Sequence, residues 1–147
     1  LASSEAPQMV DELCKCGALV DARATNNSTP LHWAAGAGNC DVVSELLRHG
    51  ADATAVSYTW KSNVFGKGSG QTPSHWAAES GHSDCVQVLL DGATPLAAFF
   101  GDERGQLPED LAQKEGHYEL SESLQSLASC EMVCIGVSTE ASVHRVL

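Results

Sequence analysis

The chain has 147 residues, 43% of them hydrophobic, which suits one folded domain with a continuous core. Nineteen acidic residues against eight basic ones give a net charge of -11, and that field repels nucleic-acid phosphates and anionic lipid. No apolar run approaches the roughly 18 residues that a membrane span needs.

From the start of the chain, Ala6 to Cys16 reads as one amphipathic helix with Met9, Val10, Leu13 and Cys14 as its apolar face, closed by Gly17-Ala18. Thr29-Pro30-Leu31-His32-Trp33-Ala34-Ala35 follows, with Gly38 beyond it. Thr29 is a natural N-cap, Pro30 suits the first helical position, and the small pair Ala34-Ala35 permits close approach of a neighbour. After Gly38 a second helix is expected from Asp41, with Val43, Leu46 and Leu47 on its buried face and Gly50-Ala51 at its end.

The same succession then returns as Thr72-Pro73-Ser74-His75-Trp76-Ala77-Ala78, Gly81, Asp84 to Leu90 and Gly92-Ala93. A worn third copy runs Gln106-Leu107-Pro108-Glu109-Asp110-Leu111-Ala112 with Gly116-His117. Repetition of a helix pair at this spacing predicts a stacked solenoid rather than a globule around one pocket.

The repeated T-P-x-H-x-A-A string with its G-A ending resembles the ankyrin repeat, from about Ala6 to Leu127. Asp102-Glu103-Arg104-Gly105 resembles the D-x-x-G turn that precedes a repeat. The resemblance implies an all-α solenoid of helix pairs with projecting β-turn fingers. It also implies a domain at 1–127, made of a half repeat at 6–27, full repeats at 28–70 and 71–105 and a terminal repeat at 106–127, with a tail at 128–147. Within that tail, Cys130 to Val137 is apolar and outside the pattern, and a strand, a docking tail and disorder all remain open for it.

The period is broken in one informative place. Gly17 and Gly50 are 33 residues apart, but Thr29 and Thr72 are 43 apart, so ten extra residues lie in the second finger. They bring Tyr58, Trp60 and Phe65 together with Lys61 and Lys67. Aromatic residues beside cations on a projecting loop are the usual composition of a binding hot spot, and packing of the loop back onto the solenoid is the alternative. A further lengthening falls in the connection Pro95 to Gly101.

The resemblance makes a protein-binding adaptor or scaffold subunit the expected function, with the regulatory segment of a larger enzyme as the alternative. Its expected partner is another protein with a basic surface, or a larger multisubunit assembly; nucleic acid and membrane insertion are not expected. Recognition would use the extended finger and the family's variable positions at Gly36, Ala37, Glu79, Ser80, Lys114 and Glu115. Trp33 and Trp76 should pack between adjacent helices with their edges on the contact surface.

Chemistry is not expected of this chain, nor a metal or cofactor. The six Cys (Cys14, Cys16, Cys40, Cys85, Cys130 and Cys134) include no C-x-x-C pair and read as reduced structural thiols. His32, His75, His82 and His117 fall at positions where the family uses His structurally, and no nucleophile and orienting partner accompany them. Gly66-Lys67-Gly68-Ser69-Gly70 lacks the order of a phosphate loop. Glu109 and Asp110 suit the dipole of a helix start. No signal-peptide pattern opens the chain, which favours an intracellular reducing compartment. The chain begins at Leu1 without Met, as a processed product or a fragment does, so import into an organelle stays open.

Overall fold

A computed structural model describes residues 2–58, 70–92 and 100–134 of the chain, with side chains of 5–58, 70–92 and 100–129. Seven helices follow one another among these residues: α1 Ala2–Lys15, α2 Pro30–Ala37, α3 Cys40–Arg48, α4 Pro73–Glu79, α5 Ser83–Gly92, α6 Pro108–Lys114 and α7 Tyr118–Cys134. They stack in two rows. The first helices α2, α4 and α6 pack on one another, α1, α3 and α5 pack in a parallel row, and α7 pairs with α6. The architecture is the all-α solenoid that the repeats imply.

Each first helix starts where its sequence says it should. Pro30, Pro73 and Pro108 occupy the first turn, preceded by residues in extended conformation. Fully buried Leu31, Ala35, Ala77, Ala78 and Ala112 join Val43, Cys85 and Leu89 of the second helices in one continuous core. Small residues in the first helices let the two rows approach closely.

The turn after each first helix also joins one repeat to the next. Gly38 and Gly81 hold φ of 76° and 77°, and a Cβ on either would come within 2.7 Å of the His82 ring or 2.5 Å of the His117 ring. Glycine is therefore required there twice over, by its left-handed backbone and by the ring resting on it. Gly92 departs from expectation, because it is the last residue inside α5 rather than a left-handed terminator. Its place is fixed by space, since a Cβ would lie 2.8 Å from Leu47 Cδ1.

α7 runs past Leu127 to Cys134, and no glycine or proline intervenes to end it before Gly136. Residues 135–147 lie outside the described residues, as does the lengthened connection over 93–99. In α7, Ser121 is buried at 3% exposure, because it occupies the core-facing position of Val86; Ser123 is exposed.

α1 begins four residues earlier than expected. It packs on α3 through Val10, while Met9 and Leu13 are 61% and 53% exposed on its outer side. Lys15 and Arg48 pair with Asp11, and Arg48 pairs also with Glu45, but these links are exposed to solvent and contribute little. Amide exchange in α1 should accordingly be the fastest of the second-helix row, measured on the dilute monomer beside α3 and α5. Protection in α1 equal to that in α3 would show that the end helix is held by more than its one packed side.

Candidate partner-binding surface

The fingers are built on one repeated backbone bond. In the first finger Ala24 N–H donates to the Ser28 carbonyl at 2.9 Å, and in the third Asp102 N–H donates to the Gln106 carbonyl at 2.9 Å. In the second the equivalent donor is Ser57 N–H, 2.8 Å from the Gln71 carbonyl, and Gln71 N–H returns a bond to the Ser57 carbonyl at 2.9 Å. Donor and acceptor are four residues apart in the ordinary fingers and fourteen apart in the extended one. The ten extra residues thus fall between the arms of an intact neck, closed by an antiparallel bridge and by the Ser57 hydroxyl on the same carbonyl at 3.0 Å.

That neck is anchored on both sides. Asn27 Nδ2 donates to the Val56 carbonyl at 2.9 Å, Arg23 Nη1 reaches it at 3.3 Å, and Tyr58 N–H donates to the Asn26 carbonyl at 2.8 Å. Asn27 takes φ of 63° to make its contact, a conformation Asn tolerates better than most residues. From beneath, His32 Nε2–H donates to the Gln71 carbonyl at 3.0 Å, while its Nδ1 accepts Thr29 N–H at 3.1 Å with the Thr29 hydroxyl 2.9 Å away.

His75 repeats this arrangement one unit on. Its Nδ1 accepts Thr72 N–H at 3.2 Å and its Nε2–H reaches the Gln106 carbonyl at 2.9 Å. Both rings are buried and neutral: burial drives the His32 pKa down to about 4 and lowers that of His75. A second proton would sit on Nδ1 and face the Thr N–H already pointing at it. In the third copy Asp110 takes over the local half of the task, accepting Leu107 N–H at 2.8 Å. A carboxylate has no N–H to pass onward, and α6 is the last first helix among the described residues.

The two tryptophans are not equivalent in their surroundings. Trp76 is half-buried, edge-on to His32 at 5.4 Å and to Trp33 at 5.5 Å, with its ring 3.1 Å from the Cβ that Gly36 lacks. Trp33 is 60% exposed, against the expectation that both rings pack between helices, because α2 has no first helix on its outer side among the described residues. Its indole N–H donates to Ser28 Oγ at 3.0 Å, which fixes the ring with one face outward. Among the described residues three buried side-chain atoms, Gln71 Oε1, Ser74 Oγ and Trp76 Nε1, all around the start of α4, meet no hydrogen-bond partner.

Residues 26–58 and 69–98 each match the family model for the ankyrin repeat. The chain carries ankyrin repeats. Between the two matched ankyrin units lie residues 59–68, ten residues, which equals the excess that the Ser57–Gln71 neck encloses over an ordinary finger. A comparison with curated proteins finds no match. Ankyrin repeats are modules through which proteins bind other proteins, and among the described residues no helix is long and apolar enough to cross a membrane.

The remaining candidate residues fall in two groups. Tyr58 leaves the neck 44% exposed, whereas Trp60, Lys61, Phe65 and Lys67 lie outside the described residues. Glu79 and Ser80 end α4, and Lys114 and Glu115 end α6, in register along the row of first helices with Gly36 and Ala37 of α2. All are exposed except Glu79 and Gly36, which are half-buried.

Asp11, Glu45 and His49 form a cluster that the sequence did not reveal, because α1 and α3 supply its members from more than thirty residues apart. Their ligand atoms lie within 4.8 Å of one another. Ion pairing holds it together: the bond from Lys15 lowers the Asp11 pKa, the bond from Arg48 lowers that of Glu45, and His49 Nε2 lies 3.0 Å from Asp11. Cys14, Cys16, Cys40 and Cys85 are free thiols, and burial together with the neighbouring Cys40 thiol pushes Cys85 up to about 12. A thiol so protonated packs as a small hydrophobe rather than acting as a nucleophile.

Proposed function

We propose that this chain is a non-enzymatic adaptor or scaffold subunit that holds a partner protein with its extended second finger and the ends of its first helices. The observation that carries the reading is the intact neck, Ser57 paired with Gln71, from which ten residues beyond the ordinary finger leave and return. The bond that closes the ordinary fingers is kept here despite the addition, so the added residues leave the repeat beneath them intact. Three of the chain's eight aromatic residues, Tyr58, Trp60 and Phe65, accompany it with Lys61 and Lys67.

The partner of this proposal is a protein with a basic surface that carries an acidic or polar spot for the finger tip. Net charge of -11 draws in the basic surface, while the two lysines offer a local field of opposite sign. Trp33, Trp76, Glu79, Ser80, Lys114 and Glu115 complete the proposed contact along the first helices.

Trp60→Ala is the sharpest test of the hot spot. It is expected to cost about 2 kcal/mol of binding, roughly thirtyfold in affinity, and to leave the melting temperature unchanged, since in sequence the residue falls outside the repeated helix pattern. A lowered melting temperature with unchanged affinity would make the finger structural instead.

A further inference from the structure

The junction of α1 and α3 gathers side chains that the proposed contact surface does not use. Glu45 lies in α3 and His49, four residues on, caps its end, so the two project from one side and meet Asp11 of α1 there. His49 Nε2 lies 3.0 Å from Asp11 Oδ1 and 3.3 Å from Glu45 Oε1, and no separation within the trio exceeds 4.8 Å. Bonds of about 2.1 Å to a common tetrahedral centre hold their ligand atoms about 3.4 Å apart. The nitrogen and both carboxylates are therefore nearly in place for one small cation.

Ion pairing explains why two carboxylates meet here, yet it leaves the imidazole between them without a share in that pairing unless His49 is protonated. What a neutral imidazole adds is a metal ligand. Exposure separates the ligands from their present counter-charges: the side chains of Asp11, Glu45 and His49 are between 18% and 21% exposed, whereas those of Lys15 and Arg48 are 69% and 61% exposed. A cation entering the site displaces two solvated arms whose pairing contributes little. It meets ligands that two helices already hold together.

We propose that Asp11, Glu45 and His49 bind one divalent cation of the zinc type, which straps α1 to α3. One imidazole nitrogen and two carboxylate oxygens are a zinc ligand set, with water in the fourth position. Calcium takes about six to eight oxygens and magnesium an octahedron of them, which this trio does not offer. The strap crosses the interface on which α1 depends, so the ion governs how firmly the end helix is held. The acidic field of the chain, at a net charge of -11, draws cations to it.

The test adds Zn²⁺ alone to the intact chain, freed of metal by a chelator and kept reduced, and follows binding by calorimetry and α1 by amide exchange. One equivalent should bind more tightly than any other. At a free Zn²⁺ concentration about a hundred times the dissociation constant, openings of α1 that break the site become about a hundredfold rarer, and exchange through them slows by that factor while α5 is unchanged. Asp11→Asn and His49→Gln should each weaken binding at least about tenfold and abolish the slowing, a loss that even supporting residues of metal sites bring. His49→Gln keeps a hydrogen-bond donor towards the carboxylates, so metal-free exchange in α1 at the wild-type rate shows that a ligand was lost and packing was not. The double variant Cys14→Ser, Cys16→Ser should bind as the wild type does. Absence of binding, equal binding of Ca²⁺, binding that survives His49→Gln or depends on the two cysteines, or bound Zn²⁺ that leaves α1 exchange unchanged overturns the proposal.

Discussion

Replacing His32 with Ala is expected to lower the unfolding free energy by roughly 3 to 4 kcal/mol, read as a fall in the urea midpoint at unchanged slope. The ring is fully buried, so its loss opens a cavity in the core. It also strips Thr29 N–H of its acceptor and removes one donor from the Gln71 carbonyl. Each buried polar group left unmatched costs about 1 to 3 kcal/mol. His75→Ala should behave alike, since its bonds to Thr72 and Gln106 are the same one repeat on. A loss below about 1 kcal/mol for His32→Ala would mean that the bond between repeats is dispensable and that packing alone holds them.

Acid should unfold the chain well before its carboxylates are neutralised. His32 titrates near 6.5 when unfolded and at about 4 when folded, with burial as the largest cause. Between those values the unfolded state binds the extra proton and the folded state does not, so stability is complete above pH 6.5 and falls as the pH drops towards 4. A shift of this size corresponds to about 3 kcal/mol. His75, lowered for the same reason, adds to the loss in the same direction. Urea midpoints measured from pH 7.5 to 4.5 should therefore decline steadily, and the decline should be shallower in His32→Gln. A flat profile over that range would show that the rings are protonated without opening the repeats.

Much of this fold is legible in the residues because each repeat writes its helix signals locally. Thr-Pro starts a first helix, a glycine ends it, and an apolar stripe at helical spacing marks the second; α2 to α5 stand within a residue or two of where those signals put them. What the sequence hides is pairing across repeats. Ser57 and Gln71 are fourteen residues apart with no hairpin signature between them, so the closed neck becomes visible only when the His32 ring below it is seen bonding the same carbonyl. The exposure of Trp33 was hidden for a related reason: its environment is set by what stands next in the stack, whereas its local string is nearly identical to that around Trp76. Gly92 misled because a glycine near a helix end suggests a left-handed cap, and only the position of Leu47 shows that space is what it provides.

The central claim is that the extended second finger holds the partner. It is tested most directly by capture with the intact chain beside a version lacking residues 59–68, which keeps the Ser57–Gln71 neck and restores the ordinary finger length. The account predicts that a protein retained by the intact chain is lost from the shortened one, while both unfold at the same urea concentration. Retention of the same protein by both versions, with equal stability, would contradict it.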